Sequence, residues 1–141
     1  MTTGMRVSVL VEDQATMGFR DRKYLAQHGL ALFIEGECNI LFDTGPSAVL
    51  MENARLMRID LQTTDWIVVS HGHWDHADGL LALKEHGIRK RLLLHPGAFA
   101  DRRRPSGEFN GMGFDKPWAE QHFDLLLSRG PYQLSEHVYF L

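Results

Sequence analysis

Four apolar residues in a row, Trp66-Ile67-Val68-Val69, run directly into Ser70-His71-Gly72-His73-Trp74-Asp75-His76. A short run that offers no polar side chain to water is the pattern of a strand buried on both faces, and such strands belong to sheets covered by helices. Leu92-Leu93-Leu94 is a second run of the same kind, and residues 80–86 between the two read as a helix. Strand, helix and strand in that order predict α/β layering around a sheet.

The flanking segments extend this pattern. Residues 6–11 alternate β-branched residues with small or charged ones and predict a strand. Residues 12–29 are polar and mixed, a loop with one helical turn around 24–28. Residues 30–35 and 39–42 predict two strands joined by a turn at Gly36-Glu37, hence a hairpin. Asp43-Thr44-Gly45-Pro46 is a set of turn formers that ends the pairing. Ser47 is placed to cap a helix reaching Arg58, with Leu50, Ala54 and Met57 at helical spacing. Asp78 and Gly87 bracket the helix at 80–86 as N-cap and stop. Residues 104–117 hold three glycines and two prolines and read as a mobile loop. Residues 118–127 predict a further helix, ended by Gly130-Pro131, and 138–141 a final strand. Leu25, Leu30, Leu32 and Ile34 form an expected core stripe, and Cys38 a small buried or edge residue.

Composition narrows the function classes. At 141 residues, 44% hydrophobic and 23% charged, the chain is one globular domain over 1–141. A net charge of −3 argues against a bulk nucleic-acid binder. No apolar run approaches the ~20 residues of a membrane span, and the first residues have no signal-peptide pattern. The single cysteine excludes an internal disulfide and a cysteine-based zinc cage, so a reducing cytoplasm is the expected compartment.

Three of the eight histidines fall within six consecutive residues. In an extended segment side chains alternate, so His71, His73 and Asp75 project to one side. His76, where the chain turns into a helix, can swing back toward them. Imidazoles and a carboxylate so grouped suit two adjacent divalent ions of the zinc kind, and Gly72 lets the backbone bend beside them. His28, His86, His122 and His137 read as ordinary polar residues. Trp74 either walls a substrate pocket or packs. His95 closes a buried strand at the end where α/β sites gather, which makes it a candidate substrate-binding residue. Arg102-Arg103-Arg104 reads as a solvated charge run before an anion site.

The segment resembles the His-x-His-x-Asp-His signature of the metallo-β-lactamase superfamily, matched at His71, His73, Asp75 and His76. Ile40-Leu41-Phe42-Asp43-Thr44-Gly45 resembles that superfamily's strand ending in Asp-Thr-Gly. Within it, the chain looks most like the branch of methanopterin-type dihydropterin phosphate synthases and their bacterial metal-dependent hydrolase relatives. Val9-Leu10-Val11-Glu12-Asp13, His28-Gly29-Leu30, Asn53-Ala54, Ile59-Asp60-Leu61 and His95-Pro96-Gly97-Ala98-Phe99 carry that likeness. The resemblance covers essentially the whole chain but only the first half of such a protein. It implies the first half of an αββα sandwich, a mixed β-sheet with flanking helices. It implies that His71 and His73 bind one metal, that Asp75 and His76 bind a second, and that Asp43 orients a ligand beside them. Zinc is the expected metal, as one or two ions, with iron and manganese as the other candidates. Ala77-Asp78-Gly79 departs from the small residue and two glycines usual after the motif. The later histidine, bridging acid and final histidine of the family have no counterpart in this sequence.

The leading expectation is a metal-dependent hydrolase, or the first half of one, using a metal-activated water on an ester-like or phosphorylated small molecule. Asp75 would be the catalytic residue that helps hold the water. The alternative is a non-catalytic metal-binding or interaction fragment that needs a partner half, since two protein ligands per ion leave each under-coordinated. His73 stands where diiron members of the superfamily commonly have Glu. The charge weakens a nuclease reading. Helices are expected on one face of the sheet, with the His-rich loop at a sheet edge. The opposite face, fed by 67–69, 92–94 and 138–141, is expected to be bare and to draw a second copy or a complementary C-terminal half.

Overall fold

The two apolar runs become inner strands. In the computed structural model, which describes residues 4–15, 18–19 and 22–141, the chain begins with β1 (Arg6–Val11), β2 (Gly18–Phe19), β3 (Arg22–Lys23), β4 (Ala31–Glu35) and β5 (Ile40–Phe42). It continues through α1 (Val49–Met57), β6 (Trp66–Val68), α2 (Trp74–Ala77), α3 (Gly79–Glu85) and β7 (Arg91–Leu94). It ends with α4 (Lys116–His122), β8 (Asp124–Leu127), β9 (Tyr132–Ser135) and β10 (Val138–Phe140). Six strands form one mixed sheet in the order β1-β4-β5-β6-β7-β8. β1, β4 and β5 pair antiparallel, the β4–β5 hairpin as the turn at Gly36-Glu37 requires. β5 to β8 pair in parallel, with helices in the crossovers.

Alternation along the inner strands divides the core between two faces. Ile67, Val69, Leu92 and Leu94 meet Leu50 and Ala54 of α1, Leu80 and Leu83 of α3 and Ala119 of α4. Leu80 and Leu83 are wholly buried, and each such side chain contributes about 1.5–3 kcal/mol on leaving water. Trp66, Val68 and Leu93 point the other way, with Ile40. Over them lies the antiparallel β9–β10 hairpin, whose Tyr132, Leu134, Val138 and Phe140 pack onto that face. The bare face expected from 67–69 and 92–94 is therefore covered in its centre by the chain itself. What stays open is its β1 end. Val7 pairs with Ile34 and Val9 with Leu32, so both valines lie on this face, 52% and 48% exposed.

Several predicted elements differ. Residues 24–28 form no helical turn, because their backbone is bonded elsewhere: Leu25 N–H donates to Asn53 Oδ1, Asn53 Nδ2 donates to Leu25 O, and Gln27 N–H donates to Glu12 O. Leu25 is accordingly exposed and leaves the expected core stripe. The helix expected over 118–127 is two elements. Asp115 caps it by accepting from Trp118 N–H at 2.9 Å, and Pro117 sits in its first turn, so α4 starts at Lys116. Leu125, Leu126 and Leu127 instead pair in register with Leu92, Leu93 and Leu94. Ala48, not Ser47, takes the N-cap position of α1, and the Ser47 hydroxyl donates to Gln27 Oε1. Asp78 does precede α3, but its carboxylate accepts from Gly113 N–H instead of capping. Gly87 has a φ of +71° and ends the segment as expected. The His-rich loop leaves the carboxyl end of β6 in the middle of the sheet, not a sheet edge, since β6 pairs on both sides. That position is where open α/β sheets form their ligand crevice.

Candidate metal centre

β5 and β6 end side by side, and their extensions build the site. Asp43 follows β5, and its N–H donates to Val68 O, which continues the ladder by one residue. There the backbone turns left-handed, with a φ of +56°, a conformation that Asp tolerates better than most residues. Both oxygens of the wholly buried carboxylate are engaged. Oδ1 accepts from Ser70 N–H and Oδ2 from the Ser70 hydroxyl, each at 2.7 Å. His76 Nδ1 lies 2.7 Å from the same Oδ2.

These contacts fix the tautomers by elimination. A carboxylate only accepts, so His76 carries a hydrogen on Nδ1, which in the neutral tautomer leaves the Nε2 lone pair free. The Ser70 hydroxyl spends its one hydrogen on Asp43, so His71 Nδ1, 2.8 Å away, donates to the Ser70 oxygen. His71 Nε2 is therefore free too. The His71 ring centroid lies 4.2 Å from that of His76 and 4.7 Å from that of His73. Burial, then the neighbouring imidazoles of His76 and His73, hold the His71 imidazole below its ordinary range, which keeps it neutral and able to donate a lone pair.

The main chain holds this loop from several sides. A Cβ on Gly72 would stand 1.9 Å from Ala98 O, and one on Gly79 would stand 2.2 Å from Thr44 O. Thr44 N–H donates to His76 O at 2.8 Å. Glycine at 72 thus serves close backbone approach, a tighter reason than the bend expected of it.

Other candidates take varied positions. Trp74 opens α2, its N–H reaching Asn110 O at 3.4 Å. His95 is exposed, and its Nδ1 accepts from Gly97 N–H, capping the turn Pro96–Phe99. His95 and Ser70 line a 460 Å³ cavity shared with Phe42, Val68, Leu134 and Phe140. Arg102 donates to Gly97 O, Arg103 pairs with Asp101, and Arg104 pairs with Glu108, which leaves the run engaged locally.

By sequence His28 is an ordinary polar residue, yet the structure brings it to this site. Its Nε2 is 3.2 Å from Asp75 Oδ2, and its Nδ1 is 3.1 Å from Asp13 Oδ1. Nothing in the spacing of the motif points to it, 43 residues before His71. The one signal available was its place in His28-Gly29-Leu30.

Imidazoles aimed by a carboxylate and a hydroxyl fit a divalent ion in kind and orientation. The set is short of complete. Among the described residues, no three His, Cys, Asp or Glu side chains are already drawn together as a finished cage.

The family model described as the metallo-beta-lactamase superfamily matches residues 26–136. The chain is similar to the uncharacterized protein MJ0448 of Methanocaldococcus jannaschii, at 32% identity over 94% of this chain and 50% of that protein. It is similar to 7,8-dihydropterin-6-methyl-4-(beta-D-ribofuranosyl)-aminobenzene-5'-phosphate synthase of the same organism, at 31% identity over 97% of this chain and 50% of the enzyme. The chain thus spans about half the length of the curated relatives it matches. The crystal structure of Tm1679, a metal-dependent hydrolase of the beta-lactamase superfamily, superposes with a TM-score of 0.79 at 28% identity, over 96% of this chain and 47% of that one. The family model spans most of the chain, and the chain belongs to the metallo-β-lactamase superfamily.

Proposed function

We propose that the chain supplies the first half-site of a metal-dependent hydrolase acting on an ester-like or phosphorylated small molecule. His71 and His73 would hold one divalent ion, and Asp75 and His76 a second. Zinc suits the nitrogen and oxygen donors best, with iron and manganese as alternatives. When bound, such ions polarise the scissile group and lower the pKa of a water molecule toward neutrality. Asp75 would accept a hydrogen bond from the attacking water and so orient it. Asp43 keeps His76 in its Nδ1–H tautomer, and Ser70 does the same for His71. Trp74 and His95 would contact substrate. The remaining ligands would come from a complementary C-terminal half or a second copy, docked at the open β1 end of the sheet. No helix among the described residues is long and apolar enough to cross a membrane. From the lone Cys38 we propose a reducing compartment such as the cytoplasm.

The observation that carries the reading is the pair of Nε2 atoms on His71 and His76 left to face an ion, His76 held by Asp43 and His71 by Ser70, which Asp43 fixes. The test is metal analysis of the purified chain with His71→Ala and His73→Ala. Each variant is expected to release most of one ion, and unchanged metal content in both would refute the assignment. The open ligand set favours a second reading, a metal-binding fragment that is not catalytic alone. Hydrolysis of ester and phosphoester probes by the 141-residue chain without any added half would exclude it.

A further inference from the structure

We propose that His28, backed by Asp13, is a third protein ligand of the ion assigned to Asp75 and His76. The inference rests on the reading of residues 71–76 as a metal half-site. A neutral imidazole has one N–H, and carboxylates only accept. His28 faces two carboxylates, Asp13 Oδ1 at 3.1 Å from Nδ1 and Asp75 Oδ2 at 3.2 Å from Nε2. Once Asp75 is committed to a cation, its oxygen is the poorer acceptor. The hydrogen then faces Asp13, and the Nε2 lone pair faces the ion.

The arrangement repeats that of His76. His76 Nδ1 is held by Asp43, and His76 Nε2 lies 3.6 Å from the same Asp75 Oδ2. Two imidazoles, each with a carboxylate behind Nδ1, present Nε2 to one carboxylate oxygen. Around zinc, with bonds of about 2.0–2.1 Å, the edges of a tetrahedron are about 3.3–3.4 Å long. The observed 3.2 and 3.6 Å separations bracket that edge. Closing the three around one ion takes an adjustment of the His28 ring, whose side chain is 68% exposed.

The backbone makes the approach of His28 a built feature. A Cβ on Gly29 would stand 2.2 Å from Asp75 O, so the main chain beside His28 rests directly on the motif. Gly29 N–H also donates to Asp13 Oδ1 at 3.3 Å, which ties the outer carboxylate to the same turn. With His28 included, one ion has three protein ligands and an open position, the complement of a catalytic zinc site. The shortage of ligands from the motif alone is then confined to the other ion.

Chelator competition with zinc and the visible spectrum of the cobalt(II) form test this without reference to activity. His28→Ala is expected to weaken one ion about 100-fold and to change the cobalt spectrum, with added imidazole restoring it. Asp13→Asn is expected to weaken the same ion by about 10–100-fold, the usual effect of losing an outer partner. Circular dichroism of both variants should match the parent, since both side chains are exposed. Wild-type affinity and spectrum in His28→Ala, with the ion lost in His76→Ala, would overturn the role of His28 and leave the motif standing. Retention of both ions in His76→Ala, or a parent chain that takes up no cobalt, would overturn the motif reading and this inference with it.

Discussion

Asp43 is buried, acidic and left-handed in backbone at once. Such a residue persists only where its surroundings over-determine it, and here three donors do so. Asp43→Asn keeps the shape and the tolerance for positive φ but turns one oxygen into a donor facing donors. It is expected to lower stability by about 1–3 kcal/mol in urea unfolding and to weaken metal binding by about 10–100-fold, since His76 loses its partner. Gly72→Ala tests the scaffold instead. Its Cβ would collide with Ala98 O, backbone that cannot swing aside, so a loss of about 1–3 kcal/mol is expected by the same measurement. At this scale the sequence was legible where chemistry and spacing coincide, as in residues 71–76. Ser70 and His28 were not legible, because their roles arise from partners 27 and 47 residues away in the chain, Asp43 and Asp75.

Among the elements, the β9–β10 hairpin is the least foreseen and has an identifiable clasp. Glu37, in the β4–β5 turn, accepts from His137 N–H at 3.0 Å and from the Ser135 hydroxyl at 2.8 Å, and His137 Nδ1 lies 2.6 Å away. The His137 amide above all, then the Ser135 hydroxyl, hold the Glu37 carboxyl below its ordinary 4.5. A depressed carboxyl pKa stabilises the fold above the unfolded value of 4.5 and ceases to as pH falls through the lower folded value. Glu37→Gln should therefore melt below the parent at neutral pH, with the gap closing as the pH is taken below 4.5. A gap constant with pH would assign the hairpin's anchoring to its apolar contacts alone. α1 offers the opposite case, since Arg58 ends it at a φ of +58°. Arg58→Gly is expected to raise stability by about 1 kcal/mol, read from the urea midpoint. The strand at 124–127 reads as helix in the sequence because a run of three leucines fits either period. Only register against β7 distinguishes them.

Over the whole molecule, the order of layers was legible because buried parallel strands are apolar throughout while hairpin strands alternate. The covering of the second face was not, since the partner of Val68 and Leu93 lies some 40–70 residues further along, in Leu134 and Val138. The remaining open patch sits on an edge strand, where exposed Val7 and Val9 adjoin unpaired backbone. Sedimentation should show the chain self-associating, and Val7→Lys with Val9→Lys should return it to monomer. A monomeric parent would place the second half-site's docking elsewhere.

Three glycines, at 29, 72 and 79, meet main-chain oxygens of Asp75, Ala98 and Thr44. Side-chain chemistry and backbone fit are thereby assigned to different residues, and this shapes how the gene can vary. Under selection for folding alone, every substitution at these glycines should be depleted from a saturation library, while His71 and His73 drift freely. Under selection for metal uptake all five positions should be depleted. The difference between the two surviving populations would separate, position by position, what builds the cradle from what works in it.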